Sequence, residues 1–194
     1  MLTTLDQHTA LVIIDMQKGI LRMNPPGLQP VIENVMALTK AFHKLNKPVI
    51  AVHVLPLKAP GVINRAESRG PVASALPADF AEYIPEVGVL DSDIHLTKHT
   101  WSAFYDTELH EQLQAHSVTN VVLCGVSTSI GVEGTARAAA ERGYNISFAV
   151  DAMTDMNPPA HEHSTTTIFP RLGERGSTAE VLALLLVGSS VHNQ

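Results

Sequence analysis

Five consecutive apolar residues, Ala10-Leu11-Val12-Ile13-Ile14, stop abruptly at Asp15. A strand with one wet face alternates apolar and polar residues. A strand that does not alternate is buried on both faces, the usual situation in a parallel sheet covered by helices. The run therefore predicts an inner strand of an α/β domain. Val49 to Leu55 and Asn120 to Val126 have the same character. Between the first two runs, Gln29 to Asn46 carries Val31, Val35, Leu38, Phe42 and Leu45, the stripe of a core-facing helix, and Lys47-Pro48 ends it.

The alternation continues along the chain. Asp93 to Thr97 reads as a short third strand ending near Lys98, and a helix capped by Asp106 or Thr107 runs through Ser117. Val132 to Arg142 is a small-residue helix closed by Gly143, and Asn145 to Val150 is a fifth strand ending at Asp151. Pro158 to Pro170 reads as helical, followed by a short strand near Leu172 to Gly176 and a final helix from Thr178. Six β/α units predict a three-layer α/β/α, Rossmann-like domain with a six-stranded, mainly parallel sheet in the order 3-2-1-4-5-6. One domain accounts for residues 1–194. Residues 56–88, with prolines at 56, 60, 71, 77 and 85, read as a covering loop holding a short helix near Ala78 to Ile84.

Composition narrows the function classes. Charged residues make up 16% of the chain, against about 25% in a typical domain. This excludes a disordered chain and predicts a low-charge surface buried in a homo-oligomer, a dimer or tetramer. The net charge is −6 with no run of Lys and Arg, so nucleic acid is not an expected partner. A single cysteine, Cys124, forms no internal disulfide. The first ten residues lack a basic segment ahead of an apolar stretch, and no apolar run approaches the ~20 residues of a membrane helix. Together these predict a cytoplasmic protein without membrane contact.

In an open doubly wound sheet, ligands bind beyond the carboxyl ends of the strands where the strand order reverses. In the expected order that point lies between strands 1 and 4, so Asp15 and the Gly125 to Gly131 turn meet there. Lys98 ends the third strand, within reach of a lysine stem. A lone strand-end aspartate ordinarily caps a turn, and a lone lysine is ordinarily a solvated charge. The topology gives the pair its weight, because a buried carboxylate requires a cation. The strand, glycine turn and helix start from Val121 to Arg137 also present backbone N–H groups, notably around Val126, Ser127 and Gly131, where an oxyanion could dock. No G-x-G-x-x-G, G-x-S-x-G or phosphate-loop pattern occurs, which weakens nucleotide binding and a serine-elbow mechanism.

Three segments, Ala10 to Gln17, Lys98 with Trp101 to Thr107, and Gly125 to Arg137, together resemble the isochorismatase-like hydrolases of the cysteine hydrolase superfamily, in the family's order and over nearly the whole chain. That family includes isochorismatases, nicotinamidases and carbamoyl-amide hydrolases. The resemblance implies a site of Asp15, Lys98 and, in most members, a cysteine, together with a cis peptide between Val126 and Ser127. This sequence departs at the third member, with Gly131 where the nucleophilic cysteine normally stands. Isochorismatases proper resemble it in carrying glycine there. The resemblance thus implies vinyl-ether hydrolysis of a small molecule without a cofactor, Asp15 serving as general acid and Lys98 as its partner.

The same residues leave rivals open: amide hydrolysis with another nucleophile, or a ligand-binding member without turnover. Cys124 lies inside its strand and reads as a buried hydrophobe. Ser127 and Ser129 have no evident base in the sequence. Gln17, His53 and Trp101 are possible pocket residues, although His53 also reads as a satisfied core histidine and Trp101, like Phe104, as core. Arg65 and Arg69 could clamp a substrate carboxylate from the covering loop. His161-Glu162-His163 resembles a metal pair but lacks a third ligand, so it reads as an exposed helix start and no metal is expected.

Overall fold

The computed structural model describes residues 1–55 and 75–190. Arg65, Arg69 and most of the expected covering loop lie outside the described residues.

Six strands, β1 (Thr9–Ile14), β2 (Val49–Val54), β3 (Ile94–Lys98), β4 (Asn120–Val126), β5 (Asn145–Thr154) and β6 (Glu174–Gly176), form one sheet in the order β3-β2-β1-β4-β5-β6. Every pairing is parallel. The helices are α1 (Lys18–Leu21), α2 (Leu28–Lys44), α3 (Leu109–Ala115), α4 (Glu133–Glu141), α5 (Pro158–His163) and α6 (Thr178–Ser190). The sheet separates two cores. Val12, Ile14, Ile50, Val52, Leu123 and Phe148 face a core shared with Leu109, Leu113, Ala136 and Phe169. Leu11, Ile13, Val49, Val122 and Cys124 face the other, shared with Val31, Val35, Leu38, Phe42 and Val181. All of β1 and β4 is buried, as residues facing two cores must be. No helix among the described residues is long and apolar enough to cross a membrane.

Three local expectations need correction. No helix forms over residues 78–84. Turns there lead through a Tyr83–Gln17 bridge into a 3₁₀ turn at Pro85–Val87. Residues 79–82 are instead held by contacts to the segment after β1, including Lys18 N–H to Glu82 O at 2.8 Å and Arg22 to Asp79 at 2.6 Å. The third helix is shorter than its caps suggested, beginning at Leu109, whose N–H is accepted by Thr107 Oγ1 at 3.3 Å.

The largest correction concerns β5, which does not stop at Asp151. Its register against β4 jumps from Leu123–Phe148 to Gly125–Met153, a bulge that absorbs the polar residue. The Asp151 carboxylate leaves the strand to accept the Thr178 N–H and Oγ1–H at the start of α6, at 2.7 and 2.8 Å. The strand then continues to Thr154, which places Asp155 rather than Asp151 at the crevice edge.

Strand β4 approaches β1 closely at Gly125, where φ is +115° and a Cβ would lie 2.0 Å from the Ile14 carbonyl oxygen. Gly125→Ala is expected to cost about 3 kcal/mol or more, since both backbone strain and overlap act at a buried position. Gly27→Ala, at φ +68° with nothing within 4 Å, is expected to cost only about 1 kcal/mol. Urea denaturation of the two variants measures the difference, and equal losses would contradict the close approach.

Candidate active site

The carboxyl ends of β1, β3 and β4 converge on one crevice. Asp15 follows β1 with its N–H still donating to Val52 O at 2.9 Å, and then leaves the strand at φ +51°. That left-handed conformation is more accessible to aspartate than to most residues and turns the chain away from the strand direction. Lys98 ends β3, paired in register with Val54. Its Nζ lies 2.8 Å from Asp15 Oδ2 and also donates to Thr100 O at 3.0 Å. Side-chain exposure is 2% for Lys98 and 7% for Asp15, so the pair is dry.

The two oxygens of Asp15 differ. Oδ2 holds the ammonium, whereas Oδ1 is buried with no hydrogen-bond partner among the described residues. A buried carboxylate oxygen without a partner costs on the order of 1–3 kcal/mol, and such a group marks a place where a ligand or solvent completes the bonding. Burial raises the Asp15 carboxyl to about 6, overcoming the charge and hydrogen bond of Lys98, which pull it down. Desolvation therefore wins the contest between the two effects.

The turn after β4 closes the other side. The Val126–Ser127 peptide is cis, and the chain then winds through a π-helical turn, Thr128–Val132, into α4. A Cβ built on Gly131 would stand 3.3 Å from Asp15 Oδ2 and 3.7 Å from Lys98 Nζ. A side chain at this position would point at the ion pair. The turn is fastened from both flanks. Thr135 Oγ1 donates to Gly131 O at 2.7 Å and accepts the Ala103 N–H at 3.0 Å. On the β5 side, Asp155 Oδ2 accepts both the N–H and the hydroxyl of Ser129 at 2.8 Å.

Asp155 is a buried residue that sequence reasoning missed, because the fifth strand was ended four residues too early. It supplies Ser129 with the carboxylate that the sequence did not reveal. That contact draws Ser129 toward the end of β5, the strand on the side of β4 away from β1.

The remaining candidates divide. Gln17 is fully buried and committed to backbone: Nε2 donates to Val54 O and Phe80 O, and Oε1 accepts the Val54 N–H. It ties the segment after β1 to the end of β2 rather than lining a pocket. His53 is satisfied on both nitrogens, with Tyr83 Oη at 3.1 Å from Nδ1 and Thr97 Oγ1 at 2.8 Å from Nε2. The Tyr83 hydroxyl donates to Ala51 O, so it accepts from Nδ1–H, and Thr97 donates to Nε2. Burial, with His95 and His99 nearby, lowers the His53 pKa, which favours this neutral form.

Trp101 is 65% exposed and belongs to no core, whereas Phe104 is buried against Tyr144 and Arg142 rather than walling the crevice. Cys124 is fully buried, and burial pushes its thiol far above the ordinary range, so it is inert. His161 is not simply exposed: its Nδ1 meets Thr128 Oγ1 at 2.8 Å and it packs on the turn, while Glu162 and His163 face solvent. No group of three or more His, Cys, Asp or Glu among the described residues is placed to hold a metal.

The isochorismatase domain model matches residues 9–180, all six strands included. The chain belongs to the isochorismatase family. It is 40% identical over 179 residues to the isochorismatase family protein YwoC of Bacillus subtilis, covering 91% of this chain and 93% of that protein. An isochorismatase family protein from Burkholderia thailandensis superposes with a TM-score of 0.86 at 35% identity, covering 94% of this chain and 98% of that one. Nicotinamidase 3 of Arabidopsis thaliana is 31% identical over 158 residues, covering 79% of this chain and 76% of that protein. The protein is thus a family hydrolase, and its six-stranded sheet is the family's sheet.

For this isochorismatase-family protein, the raised Asp15 pKa carries a sign. Between the ordinary value of 3.8 and about 6, the unfolded chain gives up this proton and the folded chain keeps it. The stability gained from burying a neutral carboxyl is thus fully present below the lower value and lost as pH rises through the upper one. The difference corresponds to about 3 kcal/mol. Asp15→Asn is expected to remove that component of the pH dependence. Urea unfolding of both proteins from about pH 4 to about pH 7 measures it; parallel curves would contradict the assignment.

Proposed function

We propose that the protein hydrolyses a small molecule bearing a vinyl-ether bond, with Asp15 as general acid, Lys98 as its charge partner and no covalent intermediate. The observation that carries the proposal is a buried Asp15 carboxyl with Oδ2 on Lys98 at 2.8 Å and Oδ1 without a partner among the described residues, beside Gly131, where a Cβ would stand 3.3 Å from Oδ2; burial also raises this carboxyl to about 6. A group poised near neutral pH both gives and takes a proton efficiently.

In this reading the protonated Asp15 gives its proton to the enol-ether carbon remote from oxygen. The electron pair of the C=C bond forms the new C–H bond and leaves an oxocarbenium ion. Water adds to the carbon that carries the oxygen, and Asp15 takes back one of that water's protons. The hemiketal then collapses: its C–O bond to the leaving group breaks, the hydroxyl proton passes to the departing oxygen to give the alcohol, and the ketone forms. One water is consumed and Asp15 ends as it began. Lys98 fixes the carboxyl through Oδ2, leaving Oδ1 toward the substrate, and its charge stabilises the carboxylate formed after the first step. The backbone of the Val126–Gly131 turn is the proposed rest for substrate oxygens.

Gly131 is proposed as the position that carries the nucleophilic cysteine in other family members. The absence of a side chain there separates this reading from the amide hydrolysis that the name Nicotinamidase 3 describes. Of the nucleophiles the sequence offered, Cys124 is inert inside β4 and Ser129 donates its hydroxyl to Asp155 at 2.8 Å.

Assay against a panel of enol ethers and amides, with and without iodoacetamide, tests the proposal. Turnover of an enol ether, unaffected by alkylation and reduced by about 10²-fold or more in both Asp15→Asn and Lys98→Ala, is expected. Amide turnover abolished by alkylation and protected by Cys124→Ala, or full activity in both site variants, would overturn it.

A further inference from the structure

A second recess lies at the opposite end of the strands from Asp15. A cavity of about 630 Å³ opens among Leu5, Leu45, Lys47, Val118, Leu184 and Leu185. These residues belong to the segment before β1, the α2–β2 turn, the approach to β4 and the outer half of α6, so the recess sits where the strands begin. The six residues of β1 separate it from the catalytic crevice by about 20 Å. Its volume is that of a small-metabolite site, and most of its exposed lining is apolar, with Asp6, His8, Asn46, Lys47 and His116 among its polar members.

One charged group has no counterion here. Lys47 is half-buried, and its Nζ donates to Gln7 O at 2.7 Å. No carboxylate among the described residues forms an ion pair with it. Asp6, the acid on the same rim, stands beyond ion-pair distance of Lys47 and turns its Oδ2 to Thr119 Oγ1–H at 2.7 Å and Asn145 Nδ2–H at 2.9 Å. An ammonium partly withdrawn from water with only a carbonyl for company favours an incoming anion. The adjoining wall of Leu5, Leu45, Leu184 and Leu185 favours an apolar body. Burial also lowers the Lys47 pKa, in keeping with an uncompensated cation.

We infer that this recess binds a small amphiphilic monocarboxylate, its carboxylate on Lys47 Nζ and its apolar body along Leu184 and Leu185. The ligand's chemistry complements the site at both ends: one anionic head for one cation, and a short hydrocarbon or aromatic body for an aliphatic wall. The site shares no residue with the Asp15–Lys98 crevice and stands apart from the reaction proposed there.

Titration of the full chain with octanoate, followed by methyl and amide NMR, tests the inference, with octan-1-ol as the matched ligand without charge. Saturable octanoate shifts at Leu184 and Leu185 are expected, with binding weaker by about tenfold or more for octan-1-ol and for octanoate with Lys47→Gln. Lys47 lies in a turn outside both cores, and the unchanged remainder of the spectrum reports that the variant is folded. Failure of octanoate to saturate at millimolar concentration would overturn the inference. So would equal affinity in Lys47→Gln, equal affinity for the alcohol, or shifts centred on Asp15 and Lys98.

Discussion

An acid and an amine meet almost wholly buried at the ends of two strands, and much of the surrounding structure serves that meeting. Bringing Asp15 and Lys98 to 2.8 Å removes both from solvent. The penalty for each buried ion is several kcal/mol, which their attraction offsets only when the geometry is good. Here the balance leaves the carboxyl at about 6, between a fixed ion pair and a neutral acid. A purely structural ion pair would have both oxygens satisfied. Oδ1 has no partner among the described residues, and the proposed acid role rests on that oxygen.

The backbone supplies the precision. Parallel strands β1 and β3 end at the same edge with β2 between them, so the lysine must cross one intervening strand to reach the aspartate. On the other flank, β4 lies so close to β1 at Gly125 that no side chain fits. The turn that follows is held by Thr135 from α4 and by Asp155 from the end of β5. The crevice is therefore bounded by fixed main chain on the β4 side, a favourable arrangement for orienting substrate without later reorganisation. Gln17 has a parallel duty, spending its whole amide on the backbone at Val54 and Phe80.

The fold was legible because its signals are local and redundant. Continuous apolar runs marked β1, β2 and β4, and the stripe of α2 left little alternative to a covered parallel sheet. The Asp15–Lys98 contact followed from topology, since strand order alone brings the two ends together. What escaped was set by tertiary packing. Asp151 looks like a strand terminator, yet a bulge carries it through the strand and α6 claims its carboxylate. That misreading hid Asp155. The roles of Gln17, His53 and His161 depend on partners 30 or more residues away, such as Tyr83 for His53 and Thr128 for His161, and no local pattern announces them.

The chemistry proposed at Asp15 depends on the ionisation of one carboxyl, and that quantity is directly measurable. Titration of the Asp15 carboxyl carbon by ¹³C NMR in the folded protein is predicted by this account to give a midpoint near 6, with Lys98→Met moving it higher as the neighbouring positive charge is removed. A midpoint at or below the ordinary 3.8 would contradict it, because Asp15 would then be a permanently charged anchor for Lys98 with no proton to give at neutral pH.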